Sequence, residues 1–396
     1  MESKQEVPAS PRPPARMLRS LAVMILIVTA LHVYIGLRLL PELPLSGAGV
    51  ATGIVLLLLS AVLMPLGLTA RFVVERQPLS DQLSWAGSLF MGLFSSLFVL
   101  TFLRDVVLLI ASLSATTASV AALRADSAIA VPALALAVTL IGFFNARRVA
   151  RVVHIDIPIA DLAPALAGFI IVQLSDIHVG PTIKHRYVEA IVKRVNGLGA
   201  DLVAITGDVV DGSVPQLRAH TAPLGRLASR HGTFVVTGNH EYYSGADAWM
   251  AEFGRIGMRG LMNEHVVVDH DGAPLVVAGV TDVTAHHFDA AQKSNPQQAR
   301  AGAPDAAASV LLAHQPLSAE AASKAGFDLQ LSGHTHGGQF WPWNLFVRLQ
   351  QPYTAGLHRL NRLWVYTSRG TGYWGPPKRF GAPAEITRLR LVPASA

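Results

Sequence analysis

The chain has 396 residues, no cysteine and a formal net charge of +6. The missing cysteines exclude disulfides and thiolate metal ligands without assigning a compartment. Charged residues make up only 15%, against about 25% in soluble domains, which excludes a wholly soluble protein.

In chain order, residues 1–17 carry Pro8, Pro11, Pro13 and Pro14 and are predicted to be a disordered arm. Four apolar stretches follow, at residues 18–40, 47–69, 85–103 and 127–145. Each is close to the roughly 20 residues a helix needs to cross the hydrocarbon core. They predict a transmembrane domain over 18–146 with four helices. Further spans follow the first, which argues against a cleaved leader.

The positive charges beside these spans are Lys4, Arg12, Arg16, Arg19, Arg71, Arg76, Arg147, Arg148 and Arg151. All fall on one side if both termini are cytoplasmic, so the positive-inside rule places the second half in the cytoplasm. The arginines thus have a use beside the membrane, and no nucleic-acid partner is expected. Arg104 and Asp105 are expected to end the third span, with 106–113 lying along the membrane; the alternative is an intramembrane pair. Residues 147–167 are expected to be a linker.

From residue 168 to 396 the pattern is that of a soluble α/β domain. Short apolar runs, the signature of buried strands, lead into polar motifs. Residues 169–174 run into Asp176, 201–206 into Asp208, 233–237 into Asn239, 309–313 into His314 and 328–331 into His334. Residues 184–198 read as a helix, with Tyr187, Val188, Ile191, Val192 and Val195 on one face. Further strands are expected at 266–268, 275–280, 363–367 and 385–391. The fold class is α/β, with two mixed sheets packed face to face and helices outside.

Ligands at the ends of successive strands converge on one sheet edge. Asp176 and His178 can turn toward one ion. Asp208 has two oxygens and can bridge two ions. Asn239 offers a neutral carbonyl oxygen, and His334 and His336 flank Thr335, so one loop can serve both ions. Carboxylate oxygens and imidazole nitrogens suit Mn²⁺, Fe²⁺ or Zn²⁺. Each short motif alone is weak; the ordered set is not. Asp211 is read as supporting a ligand or positioning Asn239. The remaining histidines, among them His231, His265, His270 and His358, are read as surface or packing residues.

The five motifs, Asp176-Ile177-His178, Gly207–Asp211, Gly238–Glu241, His314 and Gly333–Gly337, resemble in this order the calcineurin-like metallophosphoesterases. Within them the ending Gly333–Gln339 is similar to the membrane-associated bacterial branch. The resemblance covers residues 168–392. It implies a four-layer α/β metallophosphoesterase domain behind the transmembrane bundle. It implies one metal on Asp176, His178, Asp208 and His336, and a second on Asp208, Asn239, His314 and His334. It makes His240 the catalytic histidine, beside a water activated between two divalent ions. Such a chain would belong to a bacterial inner membrane.

Substrate is less legible. The bilayer is the expected partner, and four spans are a large anchor for an enzyme with a soluble substrate. A phospholipid or a lipid-linked nucleotide sugar is therefore favoured; the resembling branch includes enzymes that cleave UDP-diacylglucosamine. The segment Phe340, Trp341, Trp343, Leu345 and Phe346 is read either as an acyl-chain or membrane contact or as packing over the sheet. Arg369 and Arg379 are candidates to meet the substrate phosphate. A phosphodiesterase of soluble nucleotides and a non-catalytic membrane sensor stay open as alternatives.

Overall fold

A computed structural model of the protein describes residues 15–74, 76–304 and 308–394. Residues 1–14 of the expected arm lie outside the described residues. The chain divides into two compact units, residues 1–73 with 86–136, and residues 74–85 with 137–396.

The first unit is built on α1 (Ala15–Leu39), α2 (Gly47–Val73) and most of α3 (Gln77–Ser114) and α4 (Thr117–Arg147). All four helices are long and apolar enough to cross a membrane. Glycine sets the α2–α3 distance. A Cβ on Gly87 would lie 2.4 Å from the Leu63 carbonyl oxygen and 2.8 Å from Gly67 Cα, the small-residue contact that lets membrane helices approach closely.

The third span does not stop at Arg104. α3 runs unbroken for 38 residues, about 57 Å at the helical rise, so residues 106–113 continue the helix. Arg104 is buried and donates to Ser127 Oγ and to the carbonyls of Arg38 and Arg124. Asp105 accepts from Arg38 and from the Tyr34 hydroxyl at 2.8 Å. The two residues thus tie α1, α3 and α4 together, with donors and acceptors matched as a low-dielectric setting requires.

The second unit is a sandwich of two six-stranded mixed sheets. The strands are β1 (Arg151–Ile159), β2 (Ile170–Leu174), β3 (Leu202–Ile205), β4 (Thr233–Val235), β5 (Arg259–Gly260), β6 (Glu264–His270), β7 (Ala273–Gly279), β8 (Ala308–Leu312), β9 (Leu329–Ser332), β10 (Gly356–Leu360), β11 (Leu363–Thr367) and β12 (Glu385–Pro393). One sheet has the order β1-β12-β2-β3-β4-β5 and the other β10-β11-β9-β8-β7-β6. The inward faces meet through Ile171, Leu202, Phe234, Leu275, Val310 and Leu389. Helix α5 (His185–Asn196), α6 (Val214–Thr221), α7 (Asn239–Ser244) and α8 (Ala246–Arg255) follow the strands of the first sheet, while α9 (Pro296–Arg300) and α10 (Ala319–Lys324) belong to the second. Val188, Ile191, Trp249 and Phe253 pack on the outside of the first sheet and Ala319, Ala322 and Phe327 on the outside of the second. Two sheets and two helical layers make the four-layer arrangement.

The expected linker is not one. Residues 151–159 form β1, which pairs in parallel with β12 through nine positions from Arg151–Glu385 to Ile159–Pro393. Its apolar side, including Ile157 and Ile159, is buried in the inter-sheet core. Only three residues separate α4 from this strand.

Candidate metal centre

The carboxyl ends of β2, β3, β8 and β9 deliver the predicted side chains to one place. Among the described residues three groups could hold a metal ion: Asp176 with His178 and His336, His178 with Asp208 and His240, and Asp208 with His314 and His334. Shared members fuse the groups into one centre. Asp208 Oδ2 is 3.2 Å from His314 Nε2, 3.8 Å from His178 Nε2 and 4.0 Å from His240 Nε2. Asp176 Oδ1 is 3.4 Å from His336 Nε2. The ring nitrogens themselves converge, His178 on His336 at 3.1 Å and His314 on His334 at 3.2 Å.

The backbone is bent to achieve this. Asp176, His178, Asp208, His334 and His336 all have φ between 51° and 68°. Left-handed conformations are uncommon for residues other than glycine and cost of order 1 kcal/mol or more each. Their clustering at one spot marks a site whose surroundings over-determine it. Neighbouring glycines leave the space: a Cβ on Gly238 would lie 2.2 Å from Asp208 Oδ1, and one on Gly333 2.2 Å from Asp176 Oδ2.

Outer partners fix the rings. His178 Nδ1 lies 3.1 Å from Asp211 Oδ1, and His314 Nδ1 2.8 Å from the Thr206 carbonyl oxygen. Donation from each Nδ1–H leaves Nε2 as the electron-pair donor toward the centre. Asp211 Oδ1 also accepts from His240 Nδ1. Burial disfavours the Asp208 carboxylate, but positive charge at His314, His240 and His178, a part that metal ions would take when those rings bind as neutral ligands, holds the group well below the usual carboxylate range. Burial likewise disfavours the His240 imidazolium, and Asp208 and Asp211 reverse this, raising the group to about 9.

Several contributors carried no role in the sequence reading. Glu241 is fully buried and accepts backbone N–H groups from Gly238, Asp208, Val209 and Val210. It clamps the Asp208 loop to the Asn239 turn. Gln339 exchanges two hydrogen bonds with the Trp374 backbone, each 2.9 Å. That holds the Trp374 ring 5.7 Å from His240, while Tyr243 stands 5.3 Å away on another side.

The two arginines expected at the substrate separate. Arg369 lies at the edge, 35% exposed, paired with buried Glu385 at 2.9 Å. Arg379 is 1% exposed and does not face a substrate. Its guanidinium donates to the carbonyls of Gly372, His336 and Arg369 and lies 3.1 Å from His336 Nδ1. It is the prop behind a predicted ligand. Outside the centre, His231 and His270 pair with each other beside Phe169, and His265 bonds the Ala299 carbonyl, all packing roles.

A family model described as calcineurin-like phosphoesterase matches residues 169–338. An uncharacterized metallophosphoesterase of Aquifex aeolicus is 31% identical over 223 residues, which cover 56% of this chain and 84% of that protein. The chain belongs to the calcineurin-like metallophosphoesterases. A transmembrane protein with metallophosphoesterase domain from Bos taurus is 40% identical over 279 residues, 66% of this chain and 63% of that protein. An uncharacterized metallophosphoesterase of Helicobacter pylori is 40% identical over 227 residues, covering 56% and 60%. The chain thus spans a little under two thirds of the bovine relative's length.

Metallophosphoesterases are metal-dependent, and the residues present fit that need. The donors are imidazole nitrogens and carboxylate oxygens, the set that divalent transition ions accept. The Asn239 Oδ1 atom is buried without a hydrogen-bond partner, at a cost that a cation beside it would remove.

Proposed function

We propose that this metallophosphoesterase is a membrane-anchored, dinuclear hydrolase that cleaves a phosphoester or pyrophosphate bond, with a lipid-linked substrate such as a phospholipid or UDP-diacylglucosamine. The carrying observation is that one carboxylate oxygen, Asp208 Oδ2, faces donors of both clusters at 3.2 and 3.8 Å. Asp176, His178, Asp208 and His336 are the proposed ligands of one ion. Asp208, Asn239, His314 and His334 are those of the other.

Two bound divalent ions, Mn²⁺, Fe²⁺ or Zn²⁺, would supply Lewis acidity and lower the pKa of a bound water. The protein's own part is positioning and proton control. His240, held at Nδ1 by Asp211, turns Nε2 toward the centre, and the Asp208 and Asp211 carboxylates favour its protonated form. It donates that proton to the departing oxygen. Asp208 stays anionic throughout. Arg369 meets a phosphate oxygen with the part of its guanidinium that Glu385 leaves open.

The lipid reading is supported by the approach to His240. Tyr243, Trp374 and Phe288 are 52%, 47% and 53% exposed, and the Phe288 ring lies 5.7 Å from that of Tyr243. An exposed aromatic rim suits an apolar leaving group better than a bare nucleotide. Residues 74–85 belong to the same compact unit as the phosphoesterase fold, in keeping with one cytoplasmic side for both, at a bacterial inner membrane.

The test is phosphate or nucleotide release by the full-length protein with Mn²⁺, from phospholipids and UDP-lipids in micelles and from bis-p-nitrophenyl phosphate. Metal-dependent turnover favouring a lipid is expected, abolished in D208N and H240A variants that keep their fold. Turnover of the soluble ester alone would retain the chemistry and refute the lipid substrate. Full activity of either variant would refute the site.

A further inference from the structure

Residues 340–349 contain an exposed apolar face that the proposed reaction does not use. Trp341 is 43% exposed, Trp343 41%, Leu345 63%, Phe346 52% and Leu349 80%. Arg348 is exposed among them. Short 3₁₀ turns at Trp343–Leu345 and Val347–Leu349 leave these five side chains exposed, whereas Phe340, at the start of the segment, is 8% exposed and packs. Exposed apolar groups at this density mark an interaction surface.

What covers them is read from what the segment is tied to. Trp341 N–H donates to the Phe380 carbonyl at 3.0 Å, and Phe340 bridges to Phe380 and Gly381. The strand of chain opposite is fastened to α4: Arg379 N–H donates to the Gly142 carbonyl at 2.9 Å, and Asn145 Nδ2 to the Arg379 carbonyl at 3.3 Å. Lys378 reaches Thr139 Oγ1 at 3.4 Å and lies over the Phe340 ring. Gly142 is a notch for this strand, since a Cβ there would sit 2.6 Å from Lys378 Cγ.

Thr139 and Gly142 precede the end of α4 at Arg147 by eight and five residues, about 12 and 7.5 Å along the helix axis. Measured from that end, Gly142 falls within the depth of about 5–10 Å to which interfacial apolar faces sink below the headgroups, and Thr139 lies just beyond it. Arg148 and Arg151 follow and line a cavity of about 220 Å³ with Asn145. Tryptophan with flanking arginine is the composition of the headgroup layer.

We propose that residues 341–349 are a membrane-seated element, inserted into the leaflet from which α4 emerges. The seat places the predicted ligand loop His334–His336, which leads directly into it, at the lipid surface. It does not depend on the identity of the substrate proposed above.

Full-length protein in nanodiscs containing lipids brominated along the acyl chain tests this through tryptophan emission. The wild-type spectrum minus that of a W341F/W343F variant isolates the two reporters. Quenching of that difference by the shallow-brominated lipid, with protection from aqueous acrylamide, is expected. A difference spectrum quenched by acrylamide and untouched by bromolipid overturns the proposal, and neither outcome requires catalysis. In a second arm, F346D/L349D should lose most of its activity on a vesicle-embedded substrate while keeping its rate on bis-p-nitrophenyl phosphate. Equal, non-zero rates for variant and wild type on the embedded substrate would also overturn it, as would self-association of the nanodisc-free protein that the variant alone abolishes; absence of turnover in both bears on the substrate alone and leaves the emission arm to decide.

Discussion

Replacing Glu241 by glutamine tests whether the centre depends on a clamp that holds only backbone N–H groups, that of Asp208 among them. One carboxylate oxygen accepts from Val209 at 2.7 Å and Val210 at 3.3 Å, the other from Asp208 at 2.9 Å and Gly238 at 2.7 Å. Glutamine keeps one acceptor and turns an NH₂ group against the other pair of donors. Two buried N–H groups then lose their partner, at about 1–3 kcal/mol each. The sum is roughly 2–6 kcal/mol, and a domain of this size loses about 2–4 °C of Tm per kcal/mol. E241Q should therefore melt on the order of 10 °C lower. It should also bind less metal, because the Asp208 backbone loses a fixed point while its left-handed φ of 52° still needs support. Thermal unfolding of the detergent-solubilised protein, with metal content by elemental analysis, reads both effects. A Tm within about 2 °C of wild type with full metal content would refute the clamp.

G238A should lose metal without a large loss of helix or sheet signal, because its Cβ would stand 2.2 Å from Asp208 Oδ1; elemental analysis and circular dichroism check this. D211N should lower kcat by about 10²–10⁴-fold, since it removes the anion that keeps His240 protonated and oriented; steady-state kinetics read it. Lys378 is pushed down to about 8 by burial. Its folded pKa lies below its unfolded one, so the penalty for burying the charge is complete below pH 8 and fades as pH rises toward 10.5. Wild-type stability should rise over that window by up to about 3 kcal/mol, and K378M should abolish the rise while being the more stable protein at pH 7. Melting curves across the window measure it.

The strands that carry the motif loops were legible because buried strands advertise themselves as apolar runs and each run ended in a motif. The expected strand at 363–367 coincides with β11 (Leu363–Thr367), and the helix expected at 184–198 is α5 (His185–Asn196). β1 was missed for a physical reason. It is an edge strand beside β12 whose apolar residues Val153, Ile155, Ile157 and Ile159 alternate with His154 and Asp156, so it lacks the continuous apolar run of the central strands and shows instead the period of two of a half-buried strand. β5 has only two residues, too few for any period to appear. Left-handed φ values at Asp176 and His334 leave no mark in composition. Arg379 was misread because a phosphate and a set of carbonyls attract the same guanidinium; only burial separates the two uses.

Arg379 also explains why the membrane helix and the metal centre cannot be treated as anchor and cargo. Its backbone N–H caps toward the Gly142 carbonyl in α4, and its side chain holds the His336 ring and carbonyl. A flexible tether would need polar, glycine- or proline-rich residues between the span and the fold. Here α4 ends at Arg147 and β1 begins at Arg151, and Ala146 and Ala150 are part of the core beneath the first sheet. Arg147 itself donates to the Thr182 carbonyl and to the Tyr373 hydroxyl, both at 2.9 Å. The last turns of the span are thus components of the phosphoesterase fold. Through Arg379 the turns of α4 from Gly142 onward and the His336 loop share one set of hydrogen bonds.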